Sequence, residues 1–330
     1  MTSISATTDI PRHGKPAPIA RLFGWAMLGS LAGFLINNVL VVWFGYPGLR
    51  ALGSDPAAWV HLAIYVIGIA LALAKVLIQP NNALRWDARQ VHHFNLYLVR
   101  ALYFTVLFVG LADAAIAFLR AEELLGIFGQ SGPQNFARAN WVGPYIHVPL
   151  IVAGFIASAI FRRTLGFPWL ALLIVSAELL IVLSRFVFSY EQALMGDLVR
   201  YWYAALFLFG SAYTLFDDGH VRVDIIYAGL GNRAKGRANA IGVLLLGMTT
   251  AWVVLAVGLN GPHSIVNAPV TNFEISQAGR YGMYIKYQMA AFIGLYATTM
   301  LIQFVSMFFE VMADARGEPG HRSISGSTAQ

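Results

Sequence analysis

The 330-residue sequence has no cysteine and few charged residues, since Asp, Glu, Lys and Arg together make up 12%. Without cysteine the chain has no disulfide, no thiol nucleophile and no Cys-ligated metal or Fe–S centre. Soluble domains carry about 25% charged residues, so this chain has too little polar surface to solvate a globule of its size. Its 58% of hydrophobic residues suit a bilayer as the surrounding solvent.

Common catalytic signatures are also missing from the sequence. It contains no Gly-rich phosphate loop, no Gly-x-Ser-x-Gly nucleophile elbow and no His-Glu-x-x-His metal motif. The acidic pair Glu122-Glu123 has no nucleophile or metal set beside it. We therefore expect neither an enzyme nor a metal site, and no bound cofactor.

Long apolar runs predict an all-α polytopic membrane protein with about eight transmembrane helices. Each run approaches the roughly 20 residues that cross a hydrocarbon core of about 30 Å. Clusters such as Gly45-Tyr46-Pro47 and Gln79-Pro80-Asn81-Asn82 mark the turns between runs. The predicted spans are 19–44, 57–78, 95–119, 145–161, 167–188, 199–216, 238–259 and 287–312.

The distribution of Lys and Arg predicts that both chain ends lie in the cytoplasm. Most of these residues fall in the segments that are inside when the N-terminus is inside, which is the asymmetry that orients membrane proteins. The net charge of +6 belongs to this loop pattern, and we expect no nucleic-acid partner.

Charged residues within the predicted spans are the first functional candidates, because charge is expensive in lipid. The third span carries Arg100, Asp113 and Arg120, and the fifth carries Glu178 and Arg185. In both spans an acid precedes an arginine by seven residues, so the two share a helix face about 10 Å apart. We expect partners on neighbouring helices, either as structural clamps or as an ion or proton relay. A self-sufficient secondary carrier that uses Asp113 and Glu178 is therefore one alternative.

Two histidines raise a different alternative. His61 and His147 fall near the outer ends of the second and fourth spans. If they faced each other they could ligate a b-type haem, as in the membrane anchors of respiratory complexes. A histidine at the headgroup interface without any ligand is the plainer interpretation.

The segment that joins the fifth, sixth and seventh spans is the most informative. Arg185 ends the fifth span, while Asp197 and Arg200 open the sixth, three residues apart and close enough to pair. After the sixth span comes His220-Val-Arg-Val-Asp224, whose alternation has the period of a strand. An unpaired strand at a membrane surface leaves backbone groups unsatisfied, so we expect an interfacial helix or a segment packed on a partner.

These features together resemble the DctQ-like small membrane subunit, or Q component, of tripartite ATP-independent periplasmic (TRAP) transporters. The resemblance covers about Trp169 to Met312, and Asp197 stands where the family usually has a glutamate. The matching features, in order, are Ser184-Arg185-Phe186-Val187-Phe188, Asp197 with Arg200, the small residues Gly210-Ser-Ala, and His220 to Asp224.

Composition and the resemblance together divide the chain into four parts. Composition predicts that the polar residues 1–18 and the Gly-, Ser- and Pro-rich residues 314–330 are disordered cytoplasmic tails. Residues 167–313 would form the four-helix DctQ-like core, and residues 19–166 a four-helix extension that makes this a long variant of the subunit.

The resemblance also implies a function. The chain would be a small permease subunit in the bacterial inner membrane that scaffolds the large M component. A periplasmic binding protein would deliver an organic acid, and a sodium gradient would drive uptake, so that the substrate is chosen by other subunits. The implied structural or interface motif comprises Arg185, Asp197, Arg200, His220, Arg222 and Asp224, and we expect Arg222 and Asp224 to anchor the loop after the sixth span.

Overall fold

A computed structural model describes residues 11–162, 166–216, 229, 231–276 and 279–320, and within them the chain is a bundle of long helices. Short helices Gly132–Phe136 and Asn267–Thr271 lie in the connections 122–138 and 259–285. The prediction of an all-α polytopic membrane protein is confirmed. The long helices are α1 Pro18–Phe44, α2 Trp59–Ile78, α3 Leu84–Ala121, α4 Ala139–Ile160, α5 Gly166–Phe188, α6 Ala193–Phe216, α7 at 232–258 and α8 Lys286–Ala315.

Seven of the helices in the described part of the chain are long and apolar enough to cross a membrane. The exception among the long helices is α6, which has 24 residues but opens with Asp197, Arg200 and three aromatic residues that carry polar atoms. It coincides with the sixth predicted span. The count of eight spans and the cytoplasmic placement of both chain ends stay predictions.

Local chemistry accounts for the helix ends. Helix α1 begins with Pro18 in its first turn and ends at Gly45, whose φ of 67° lies in the left-handed region that glycine tolerates. The Asp55 side chain accepts a hydrogen bond from the Ala57 N–H just before α2. Helix α3 begins at Leu84, 11 residues before the predicted span, and the Glu318 carboxylate accepts from the Leu84 N–H at 3.1 Å, which satisfies one of its first donors.

We name the two ends of the bundle after the chain segments that lie there. We call the end with segments 122–138 and 259–285 the loop end. The opposite end, with Pro18 and Ala315, is the terminal end. There the Arg316 guanidinium donates to the Pro16 carbonyl at 2.9 Å, so the two chain termini leave the bundle at one side.

Helices α3 and α8 form the centre of the bundle. Half of the most apolar stretch of α3 and 61% of that of α8 are buried, against 17% for α1, α2 and α5. Helix α3 packs against α4, α6 and α8, while α8 packs against α1, α3, α6 and α7. The peripheral helices therefore attach to a central antiparallel pair.

Apolar packing joins helices from both sides of residue 166, the predicted boundary. One cluster joins Tyr201, Trp202 and Phe209 of α6 to Val106 and Val109 of α3. A second cluster joins the start of α3 to α1, α7 and α8. Since α3 contributes to both clusters, the segments 19–166 and 167–313 share one core.

Two glycine positions let helices approach closely. A Cβ on Gly29 of α1 would lie 2.5 Å from the Gly68 carbonyl oxygen of α2, so the two backbones touch there. A Cβ on Gly110 of α3 would lie 2.5 Å from the Trp202 indole nitrogen of α6. Close backbone approach is a main source of helix association in lipid, where the solvent is as apolar as the helices.

A buried ion pair fixes α1 to α3. The Arg21 Nε lies 2.7 Å from the Asp87 Oδ2, and both side chains are fully buried. The Trp25 indole donates to the same oxygen at 3.0 Å, and Arg21 also donates to the Gln79 carbonyl. Sequence reasoning missed this pair, since Asp87 fell outside the predicted spans.

The described parts of the two predicted tails are hydrogen-bonded to the bundle. The Ala83 N–H donates to the Arg12 carbonyl at 2.9 Å, and the Gly14 N–H donates to the Asn81 carbonyl at 2.8 Å. At the other terminus, the Arg85 Nε donates to the Pro319 carbonyl at 2.9 Å. These bonds attach residues 11–18 and 314–320 to the bundle, and the predicted division of the chain into four parts stays a prediction.

Replacing Asp87 with alanine should lower the free energy of unfolding by about 3–5 kcal/mol, because it leaves the Arg21 guanidinium buried without its carboxylate. Replacing both residues with leucine should restore most of that loss. The measurement is denaturant titration in detergent micelles. Asp55→Ala, which removes an exposed helix cap, is the matched control and should cost about 1 kcal/mol. Equal losses for Asp87→Ala and Asp55→Ala would contradict the prediction.

Candidate functional site

Polar side chains join α3 to α8 from one end of the bundle to the other, and we call this series the polar ladder. At the terminal end, the Arg85 guanidinium contacts the carboxylates of Glu310, at 2.6 Å, and Asp314. It also donates to the carbonyls of Glu318 and Pro319. The guanidinium is 2% exposed and reaches two carboxylates, so its burial is compensated.

The middle of the ladder uses neutral groups. The Ser306 hydroxyl donates to the Ala88 carbonyl at 2.9 Å. The Asn95 amide donates to the Thr299 carbonyl at 3.0 Å and to the Gln303 side-chain oxygen at 3.2 Å. Uncharged partners suit this depth, because a charge is more costly in hydrocarbon than a neutral polar group.

At the loop end, the ladder widens into a buried network around Asp113, which we call the Asp113 network. The Asp113 Oδ1 lies 3.3 Å from the His147 Nε2, and the His147 Nδ1 lies 2.7 Å from the Tyr287 hydroxyl. The Gln288 amide donates to the Tyr287 hydroxyl at 3.1 Å and accepts from the Tyr201 hydroxyl. These five side chains come from α3, α4, α6 and α8, so the network ties four helices together.

Each hydrogen bond in the Asp113 network can be given one donor and one acceptor without conflict. With His147 neutral and Nε2 protonated, that nitrogen donates to Asp113, and Nδ1 accepts from the Tyr287 hydroxyl. The Tyr287 hydroxyl in turn accepts from the Gln288 amide. An amide does not readily exchange protons, so the chain ends as a proton path at Gln288. The arrangement fits a structural clamp better than a relay.

Two acids converge on the non-helical segment 282–284 that leads into α8. The Tyr284 N–H donates to the Asp113 Oδ2 at 2.6 Å, and the Met283 N–H donates to the Asp197 Oδ2 at 3.0 Å. Carboxylates from different helices, α3 and α6, therefore bind these two consecutive N–H groups. The Arg120 guanidinium adds a bond to the Gly282 carbonyl at 3.0 Å.

Asp197 and Arg200 also border a small pocket at the loop end. The pocket has a volume of about 240 Å³, and its lining includes Ser276 and Lys286. The Arg200 Nη1 lies 3.7 Å from Asp197, but the Arg200 side chain is 72% exposed, so this ion pair adds little to stability. Asp197 is held chiefly by the Met283 N–H and the Ser276 hydroxyl.

Arg100 contacts a helix end, and within the described residues it is not paired with an acid. Its Nη1 reaches the Ser158 carbonyl at 3.5 Å, in the last turn of α4. The Arg162 Nε donates to the Ala159 carbonyl in the same turn at 3.1 Å. Cations near a helix C-terminus are stabilised by its exposed carbonyls, so this placement has a structural explanation.

The connection between α5 and α6 lies on the surface. Arg185 and Glu191 are 3.6 Å apart and mostly exposed, so this pair is weak. The Tyr190 hydroxyl donates to the Glu122 carboxylate, and this hydrogen bond raises the pKa of Tyr190 above its ordinary value. The contact joins the connection to the segment that follows α3.

Glu178 differs from the other acids in the predicted spans. It lies near the middle of α5 with its side chain exposed and makes no hydrogen bond or ion pair with any residue that the structure describes. Asp113 is fully buried, and neither acid lines the 240 Å³ pocket or the apolar groove of about 380 Å³ between α7 and α8. The structure therefore does not bring Asp113 and Glu178 into one of these cavities.

The histidines considered as haem ligands belong to different clusters. The His61 Nδ1 bonds to the Asn37 side-chain oxygen at 2.9 Å, between α1 and α2. Both nitrogens of His147 are engaged, one by Asp113 and one by Tyr287. His147 thus has no nitrogen left to hold an iron ion.

The predicted motif is described only in part. Arg185, Asp197 and Arg200 lie in the described residues, and only Asp197 is buried. His220, Arg222 and Asp224 lie outside the described residues. Sequence reasoning missed Arg85, Gln303 and Tyr284 as polar partners, because their roles depend on which helices become neighbours.

Comparison with family models finds a match for residues 172–314, which run from α5 to α8. They match the model described as tripartite ATP-independent periplasmic transporters, DctQ component. Comparisons with curated proteins and with solved structures gave no match. The matched segment ends within the last turn of α8 and includes Glu178, Asp197 and the segment 282–284.

Replacing Asp113 with alanine should release segment 282–284, because the Tyr284 N–H loses a charged acceptor. The cost of about 1.5–3 kcal/mol corresponds to opening that is about 10- to 100-fold more frequent. Met283→Cys, at a fully buried position in a chain without other cysteines, reports opening through its alkylation rate. Asp55→Ala in the same reporter chain is the control and should leave the rate unchanged. An unchanged rate with Asp113→Ala would refute the proposed role of Asp113.

Proposed function

We propose that this chain, whose residues 172–314 match the DctQ component of the TRAP transporters, is a DctQ-like small membrane subunit with further helices ahead of the family segment, and that it serves as a rigid support for a large membrane subunit. In this proposal it takes part in binding-protein-dependent uptake of an organic acid at the bacterial inner membrane, driven by sodium. The observation that carries the proposal is the family match over α5 to α8.

The polar contacts inside the bundle favour a structural role for this chain over a transport pathway through it. Of the acids in the predicted spans, Asp113 is fully used in bonds between helices. The Asp113 network and the polar ladder fix α3, α4, α6 and α8 at set positions along their length. A bundle with such fixed cross-links suits the role of a stationary body against which a neighbouring carrier moves.

Peripheral helices supply the surfaces for partners. Helices α2 and α5 each bury only a narrow stripe, and most of their apolar side chains are exposed. At the loop end, the segments 122–138 and 259–285 lie side by side, since the Tyr284 hydroxyl donates to the Ala137 carbonyl at 2.9 Å. We propose that the loop end faces the periplasm and contacts the binding protein, with Arg200 and Lys286 among the exposed cations.

We propose that all six residues of the implied interface motif contribute to contacts with partners. Arg185 and Arg200 are exposed near the loop end, where they are available to partners. We expect His220, Arg222 and Asp224, which lie outside the described residues, to contribute to the same contacts with partners.

Two other functions fit less well. A haem anchor would need His147, whose nitrogens already bond to Asp113 and Tyr287. A self-sufficient carrier would need acids that share a pathway, yet Asp113 is buried between helices and Glu178 is exposed on α5.

Purified alone and placed in proteoliposomes with an inward sodium gradient, the chain should transport no organic acid. Together with the large subunit and the binding protein, it should support uptake that is lost when sodium is replaced by potassium. Radiolabelled substrate accumulation is the measurement, and omission of the binding protein is the control. Uptake by the chain alone, or uptake by the large subunit without this chain, would contradict the proposal.

A further inference from the structure

Glu178 occupies the middle of a helix that is otherwise apolar at its surface. Helix α5 runs from Gly166 to Phe188, so Glu178 lies about 18 Å from the start and about 15 Å from the end at 1.5 Å per residue. That is close to the centre of a hydrocarbon core about 30 Å thick. A carboxylate at this depth is strongly unfavourable unless another group compensates it.

The rest of the bundle does not compensate Glu178. Helix α5 packs on α6 and α3 through one stripe, which includes Leu170, Ile174 and Ser184. Glu178 lies away from that stripe, with its side chain exposed and without a bonding partner among the described residues.

Neighbouring side chains extend the same surface along α5. Val175, Val182 and Phe186 follow the helical spacing from Glu178 and are 61%, 49% and 79% exposed. We call these four residues the Glu178 face. It is apolar above and below a single acid, which is the pattern expected of a helix surface that contacts another helix carrying one complementary polar group.

We propose that the Glu178 face docks onto a transmembrane helix of the large membrane subunit that places a basic side chain opposite Glu178. The inference rests on the proposed function, and it adds the surface and the chemistry of the contact. Charge complementarity selects the occupant, because lipid chains offer no hydrogen-bond donor. A second copy of this chain would bring a second carboxylate to the same depth, and the two acids would repel each other when ionised.

If Glu178 pairs with a partner, its removal should have opposite effects on the stability of the isolated chain and on the stability of the complex. Glu178→Leu removes a polar group from a lipid-exposed position, so the thermal midpoint of the isolated chain should stay the same or rise. In the complex the same change leaves the partner's basic group buried without its acid. The fraction of large subunit retained on the tagged chain in mild detergent should therefore fall by about tenfold or more.

Ser176→Leu is the matched control. Ser176 is also exposed on α5, but its hydroxyl donates to the Leu172 carbonyl of its own helix at 2.8 Å, so it needs no outside partner. This variant should retain the large subunit as the unmodified chain does. Retention by Glu178→Leu equal to that of Ser176→Leu would overturn the inference.

Photo-crosslinking identifies the neighbour directly. Val182→Cys would be the sole cysteine, and a benzophenone maleimide attached to it reacts with whatever covers the Glu178 face. An adduct with the mass of this chain plus the large subunit supports the inference. An adduct of two copies of this chain, or adducts with lipid alone, overturns it.

The two proposals fail in distinguishable ways. If the unmodified chain retains no large subunit at all, the proposed function fails and the inference fails with it. If the unmodified chain and Glu178→Leu both retain the large subunit fully, the proposed function stands and only the Glu178 contact is wrong.

Discussion

The antiparallel pairing of α3 with α8 determines the rest of this structure. In lipid no hydrophobic effect drives one apolar helix against another, so close packing and satisfied polar contacts must do so. The polar ladder supplies such contacts from Arg85 at the terminal end to Asp113 at the loop end. Every other long helix packs on α3, on α8 or on a helix that does.

The α3–α8 pairing shows that the helices ahead of the family segment contribute to the core of the bundle. Helix α8 lies within the DctQ match, whereas α3 precedes it, so the family segment has its main buried partner outside itself. Helix α4 contributes His147 to the Asp113 network, and α1 is attached through Arg21 and Asp87. The added helices are thus an integral part of the bundle rather than an attachment to a complete core.

The sequence was sufficient to predict the class of fold and the positions of the helices, because apolar runs and turn residues are local signals. It also singled out Asp113 and Asp197, which proved to bind the consecutive N–H groups of Tyr284 and Met283. It could not predict that convergence, because the convergence depends on which helices are neighbours. The seven-residue spacing between an acid and an arginine singled out Arg120 but did not predict its partners. Arg120 bonds to backbone carbonyls.

Separate expression of residues 1–163 and 164–330 tests the central claim most directly. If the α3–α8 pairing holds the protein together, each piece alone should aggregate on extraction, because its ladder groups lose their partners. The two pieces expressed together should copurify as one monodisperse complex. Size-exclusion chromatography of the tagged pieces in detergent makes the comparison. A monodisperse 164–330 piece that binds the large subunit as the full chain does would contradict the account.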